Sequence, residues 1–361
     1  GFQGQTALQP QWGLCSFPGS GDFTITDFQT SSYLSLYLEF HDGLAGEITG
    51  PSGTIAAPNK TTIQLTELGT YTIPMGTVKT FRFGGDVGSR YTIFDFAPDF
   101  YTGNVTNMFR VFSFCQAFNG DISNWDTSRV TNTQSMFYNA VSFNGDISGW
   151  DMSQVTIMSE MFGSTSVFNA PIGTWDVSNV ERMNDMFRST TSFNQPLLNW
   201  DVSSVKDFRN MFRSATAFNQ YLNSWDVSSI PDRNNMANMF NDATVMEGNI
   251  SNWCVPQITS APYNFSEGAA FQTNSALLPN WGVCTPFNGV YLEELVGGGD
   301  LVIGGVSTDS TVQIRKPDGN FLTYGTGTFA TKFTDLGWYE IENMESLTGL
   351  RFFDNDIFFD D

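Results

Sequence analysis

The sequence predicts an α/β repeat solenoid of 25-residue rungs between two small all-β sandwich domains, and three observations carry that expectation. Trp125, Trp150, Trp175, Trp200 and Trp225 recur every 25 residues, and Trp253 and Trp281 follow at intervals of 28. Phe-Asn pairs precede the tryptophans, at Asn119, Asn144, Asn169, Asn194 and Asn219, and Met-Phe pairs follow them, as at Met136-Phe137 and Met161-Phe162. On either side of this array lie stretches with period-two alternation. A fixed period of this length means stacked supersecondary units, each covering the apolar face of the next.

Within one rung, residues 143–162, the apolar positions Val155, Met158, Met161 and Phe162 read as the stripe of a short helix. Ile147 and Trp150, close to Gly145 and Gly149, read as a short strand. Ser153 stands where an N-cap would, and Ser178 with Glu181 reads as a capping box. The expected rung is therefore strand, cap, helix, turn. The period lengthens through Ile230-Pro231-Asp232-Arg233-Asn234, and after Trp253 the Met-Phe pair gives way to Ala261-Pro262-Tyr263-Asn264-Phe265. Terminal repeats are atypical in such arrays, so the solenoid is expected over 104–284.

The flanks, 16–103 and 285–361, read as β-sandwiches of about 80 residues each. Strand-like alternation runs through 33–40 and 311–315, with turns at Gly50-Pro51-Ser52-Gly53 and Lys316-Pro317-Asp318-Gly319. The two flanks also match each other. Thr334-Asp335-Leu336-Gly337-Trp338-Tyr339-Glu340-Ile341 follows the pattern of 66–73 at an offset of 268, and Arg351-Phe352 follows Arg82-Phe83 at 269. Residues 1–15 share Phe2-Gln3, Ala7-Leu8, Pro10, Trp12-Gly13 and Cys15 with Phe271-Gln272, Ala276-Leu277, Pro279, Trp281-Gly282 and Cys284. Segment 1–15 is thus expected to be a terminal rung or cap equivalent to 270–284, and the chain to be cut from a tandem array.

The formal charge of −21 and a pI near 4.1 argue against nucleic acid and anionic membrane surfaces as partners, since both call for basic patches. No apolar run approaches the roughly 20 residues that span a bilayer. Four cysteines are too few for a disulfide scaffold. Cys254, one rung before Cys284, is the expected disulfide partner of Cys284. Cys115 falls in the small-residue column of Ala140, Thr165, Thr190 and Ala215, outside any disulfide, and Cys15 has its mate upstream. Sequons at Asn59, Asn104, Asn249 and Asn264 are about as frequent as chance gives.

Catalytic signatures are absent, with no Walker loop, nucleophile elbow or H-E-x-x-H zinc motif. The lone His41 reads as a surface turn residue, and Gly297-Gly298-Gly299 as a strand bend. Asp126, Asp151, Asp176, Asp201 and Asp226 form a column in which neighbouring charges repel. Two readings are open. Each carboxylate accepts local backbone N–H bonds, or the column binds Ca2+, with Asp121 and Asp146 alongside. The Asn119–Asn219 column is expected to be a backbone-bonding ladder.

The unit F-N-x-x-I-x-x-W-D-x-S-x-V-x-x-M-x-x-M-F over about 104–255 resembles the repeat of the BspA-like, leucine-rich-repeat-like surface proteins, which is abundant in mycoplasma lipoproteins and in marine bacterial and phage genomes. The resemblance implies a right-handed leucine-rich-repeat-like solenoid, exported or virion-borne, used for adhesion or surface contact, with no catalytic residues; no cofactor is expected beyond the Ca2+ that the aspartate column leaves open. Thr133, Phe208 and Arg233 depart from the motif. Residues 66–73 are similar to the late strand of PKD or Ig-like modules. The expected function is a non-enzymatic extracellular structural or adhesive protein, a segment of a tandem-module surface fibre. Its partners would be other copies head-to-tail and a cell-surface protein or glycan, with no membrane insertion. A virion fibre or decoration protein and a glycan-binding module are the alternatives.

Overall fold

The computed structural model describes residues 21–282, except 29–32, 42, 44, 85–89, 91 and 252, and the strands between Gly289 and Asp354. The chain divides into two compact units, one ending at Thr285 and the other beginning at Pro286.

The first unit opens with two antiparallel sheets. Strands β1 (Gly21–Asp27), β3 (Gly46–Gly50), β4 (Gly53–Ala57), β6 (Gly69–Ile73) and β8 (Ile93–Phe96) form one, in the order β4-β3-β6-β1-β8. Strands β2 (Leu34–Phe40), β5 (Thr61–Leu65) and β7 (Val78–Phe83) form the other, in the order β5-β2-β7. Period-two patterning explains which faces meet. Phe23 and Ile25 of β1, Leu36 and Leu38 of β2, Tyr71 and Ile73 of β6 and Phe81 and Phe83 of β7 are all buried. Pro51-Ser52 closes the β3–β4 hairpin, where Gly50 pairs with Gly53. Gly53 has φ +125°, a conformation open to glycine and little else.

The repeat region, from about 102 to 282, corrects the sequence-based fold class. The α/β repeat solenoid, including its leucine-rich-repeat-like form, does not fit. Among the described residues there is no α-helix, the named strands all lie in antiparallel sheets, and the repeat region contains neither α-helix nor named strand, only three short 3-10 turns at Arg233–Met236, Ala270–Thr273 and Ser275–Leu277. Each 25-residue coil is instead a succession of tight turns. In the coil with the supposed helix, Val155 N bonds Met152 O, Met161 N bonds Met158 O, Gly163 N bonds Glu160 O and Thr165 N bonds Phe162 O, all three residues back. The spacing 155, 158, 161 was thus a three-residue turn period, not a 3.6-residue helical one.

Alternate N–H groups of these turns leave the coil and bond the next one. Met158, Glu160, Phe162 and Ser164 donate to the carbonyls of Arg182, Asn184, Met186 and Arg188 at 2.7–3.0 Å. Thr131, Thr156, Glu181 and Lys206 donate to carbonyls 25 residues earlier at 2.9 Å. Parallel bridges link Asn107, Asn132, Ile157, Arg182 and Asp207 in one line. Directing N–H groups this way puts two non-glycine residues of each coil at φ near +60°, such as Glu160 and Ser164 or Asp185 and Ser189. The capping box is corrected too. Ser178 donates its backbone N–H and hydroxyl to Asp176 Oδ1, so the aspartate opens the turn and no helix follows. The three-residue insertion is taken up as a 3-10 turn, Arg233–Met236, capped by Asp232. Trp225 and Trp253 still stack at 6.3 Å, 2° from parallel.

Strand β7 stands where a coil before the first one would. Phe83 N donates to Val111 O at 2.7 Å, and Thr106 N to Lys79 O at 3.2 Å. The aromatic core is continuous across this junction. Phe83 stacks on Phe112 at 6.1 Å, and Phe100 on Trp125 at 5.6 Å. At the far end the ring geometry changes, with Phe265 perpendicular to Phe240 at 5.4 Å and to Trp281 at 5.2 Å.

The second unit repeats the topology of the first pair of sheets. Its strands are β9 (Gly289–Leu292), β10 (Leu301–Ser307), β11 (Val312–Arg315), β12 (Phe321–Tyr324), β13 (Gly327–Phe333), β14 (Gly337–Glu342) and β15 (Leu347–Asp354). They pair as β12-β11-β14-β9 and β13-β10-β15. Strand for strand this is β4-β3-β6-β1 and β5-β2-β7, and β14 and β15 carry the segments whose sequences match those of β6 and β7.

Candidate functional site

The repeated side chains are held by one another. Five successive coils each bring two phenylalanines within 3.8–4.1 Å, nearly parallel, as in Phe137 with Phe143 and Phe162 with Phe168. The indoles of Trp125, Trp150, Trp175, Trp200 and Trp225 are 2–5 % exposed. The indole N–H groups of Trp150, Trp175, Trp200 and Trp225 reach Ile122 O, Ile147 O, Ile172 O and Leu197 O in the preceding coil at 3.0–3.1 Å. Trp125 Nε1 is buried with no partner, because a sheet and not a coil precedes it. The asparagines form a second line. Asn144, Asn169, Asn194 and Asn219 each donate the backbone N–H to Oδ1 of the asparagine 25 residues earlier, at 2.7–2.9 Å, beginning with Asn119.

The aspartates lie on the surface. Asp126, Asp151, Asp176, Asp201 and Asp226 are all exposed. Each accepts the backbone N–H of the serine two residues on, at 2.9–3.0 Å. Asp121 and Asp146 do the same with Ser123 and Ser148. The backbone N–H, followed by the hydroxyl, holds the Asp121 and Asp146 carboxyls below the usual carboxylate range. For Asp176 the Ser178 hydroxyl leads and the backbone N–H follows. Among the described residues no three His, Cys, Asp or Glu side chains converge on a point that could hold a metal ion.

Cys254 is disulfide-bonded. The expected partner Cys284 lies outside the described residues, as do Cys15, the segment 1–15, the triglycine and the turn 316–319. Cys115 is buried, and its thiol donates to Phe83 O at 3.2 Å. Exposed His41 makes a 2.9 Å contact through Nε2 with Asn104 O, tying a sheet turn to the first coil.

One cavity went unnoticed in the sequence. About 280 Å³ in volume, it opens between the β5-β2-β7 sheet and the first coil, with Tyr37, Thr62 and Arg82 on one side and Arg110, Ser113 and Phe114 on the other. Arg82 lies over the Tyr37 ring at 4.2 Å, and Arg90 over Phe114 at 5.5 Å. A signal was available in the columns. The coil positions of Arg110 and Phe114 hold Ser135 and Asn139, then Glu160 and Ser164, Asp185 and Ser189, Asn210 and Ser214 in later coils.

These features define a class: a β-sheet unit whose edge strand leads into a stack of 25-residue turn coils bound by side-chain ladders. The sequence matches the family described as "Mycoplasma protein of unknown function, DUF285" over residues 96–172 and 157–281, slightly more than half of the chain, and the protein belongs to that family. No curated protein and no solved structure was found to match. Among the described residues no helix is long and apolar enough to cross a membrane.

Proposed function

We propose that this chain is a non-enzymatic structural and adhesive segment of an extracellular or virion surface, one module of a tandem fibre. The observation that carries the reading is the fate of the repeated polar groups. Indole N–H groups, asparagine amides and turn aspartates are engaged within and between coils, as suits a load-bearing spacer. The shared topology of the two sheet pairs and the 268–269-residue offset of their sequences favour tandem modules. Copies meeting head-to-tail through one recurring contact propagate as a filament unless the rotation closes. Membership of the family, whose description names no activity, fits this reading without specifying it. The PKD or Ig-like character of the sheet pairs belongs to the proposal as well; Tyr71, whose hydroxyl donates to Glu67 O at 3.0 Å, gives it some support. The partner on the host or neighbouring surface would be a protein or a glycan.

The test is imaging of the native particle together with its full open reading frame. Extended arrays with a module spacing set by the 269-residue period are expected. A compact monomer without head-to-tail contacts would sink the fibre.

A further inference from the structure

We propose that the cavity between strand β7 and the first coil binds a small oxyanion, a carboxylate or sulfate carried by a compact ligand of the size of one acidic sugar. This is independent of the fibre reading. Lys60 and Lys79 lie on Glu39, Arg188 on Asp185, Lys206 on Glu181 and Arg209 on Asp207. Among the described residues Arg82, Arg90 and Arg110 make no ion pair, and neither do Arg129, Arg182, Arg213 and Arg233. What sets the first three apart is that they gather with aromatic rings around one cavity.

These three are held by aromatic faces instead. Arg82 and Arg110 approach the same Phe109 ring, at 5.9 and 5.0 Å. Stacking uses the flat face of a guanidinium and leaves its edge N–H donors available. Two like charges over one ring repel, and an anion between them reverses the sign of that interaction.

Two buried polar atoms strengthen the case. Ser113 is 2 % exposed, lines the cavity and has no hydrogen-bond partner for its hydroxyl. Arg90 Nε is likewise buried without a partner, beside the Phe114 wall. Natural folds seldom leave such groups orphaned. The backbone at Arg110 and Phe114, φ +60° and +64°, is that of every coil; what differs is the side chains, since later coils place shorter or acidic residues at these two positions and the first coil places an arginine and a phenylalanine.

The donor set fixes the ligand chemistry. Guanidinium groups donate and cannot accept, and they match a carboxylate or sulfate edge in bidentate fashion. A volume of about 280 Å³ is at the low end for small-molecule sites and suits one compact acidic group. The net charge of −21 repels anions at a distance, so recognition must be local and not steered.

Isothermal titration of the whole chain with sodium glucuronate, sodium sulfate and, as a cationic sugar control, glucosamine tests this at constant ionic strength. Saturable binding of at least one anion and none of glucosamine is expected, weakened about ten- to a hundredfold by Arg110→Gln or Arg82→Gln. The glucuronate and sulfate arms distinguish a carboxylate ligand from a sulfate one. Arg110 is exposed, so its variant should melt like the parent. If Arg82→Gln disturbs β7, Ser113→Ala takes its place. No saturable heat with either anion, or undiminished binding in the arginine variants, would overturn the proposal.

Discussion

A buried indole in this chain fills space and carries a hydrogen bond across the coil boundary. Trp175 is 3 % exposed, stacks on Trp200 at 6.5 Å and donates to Ile147 O at 3.0 Å. Trp175→Ala removes the ring, its stacking and the donor, and leaves a carbonyl of the preceding coil without its indole partner. A loss of about 3–5 kcal/mol is expected in denaturant unfolding, with Trp175→Phe losing less because the ring volume is partly kept. The aspartates behave differently because they face water. Asp121, Asp146 and Asp176 have folded carboxyls held below their ordinary range by serine donors. A depressed folded pKa contributes stability that is fully present above the unfolded value of about 3.9 and is lost as pH falls through the folded value. Melting temperature should therefore hold from pH 7 to about pH 5 and fall below about pH 4. Asp176→Asn keeps an acceptor for Ser178 N–H but cannot titrate. Its melting curve should depend less on pH over that acid interval, and an unchanged dependence would show that the turn carboxylate is not a contributor.

At the scale of one coil, the asparagine ladder and the left-handed turn positions decide whether coils stay in register. Asn169 Oδ1 accepts both the Asn194 backbone N–H at 2.9 Å and Gln195 Nε2 at 3.1 Å. Asn169→Ala should cost about 0.5–1.5 kcal/mol and selectively raise the hydrogen-exchange rate of the Asn194 amide. Asn169→Asp keeps the acceptor and should protect that amide better. Ser164 has φ +60° and donates its N–H to Arg188 O at 2.7 Å. Ser164→Val should be clearly destabilising, because β-branching is poorly tolerated there, whereas Ser164→Gly should be near neutral in thermal unfolding. The same coil shows what was legible in the sequence. The 25-residue period, read from Trp and Asn spacing, reappears as hydrogen bonds spanning 25 residues. The element type was misread because apolar residues at 155, 158 and 161 fit both a helical stripe and consecutive three-residue turns. Only the bonding distance separates the two. The cavity was only half legible: Arg110 and Phe114 stand out from their repeat columns, but Arg82 of β7 joins them only in space, and no repeat column links those positions.

Across residues 21–282 the sheets and coils share a core, and this governs how the first unit should unfold. Strand β7 is an edge strand, a place where exposed N–H and C=O groups invite pairing with another chain. Here the first coil takes part of that edge through Phe83 N to Val111 O and Thr106 N to Lys79 O. The packing is as continuous as the bonding. Phe83 contacts Phe23 and Phe94 within the sheets and Phe112 in the first coil, at 5.0–6.1 Å. Repeat arrays otherwise behave as nearest-neighbour chains, whose ends fray unless a cap supplies the missing interface. The sheet pair is that cap, so its loss should lower the stability of the first coils before the last. Phe83→Ala is expected to cost about 3–5 kcal/mol at the junction. Hydrogen exchange followed residue by residue is the measurement. In the parent, amides of β2 and of the coil at 108–114 should share one opening free energy. In Phe83→Ala both sets should exchange faster together, while amides near 208–214, four coils away, should change less. Faster exchange confined to the sheet amides would show that the coils stand without the cap and that the two halves of this unit fold independently.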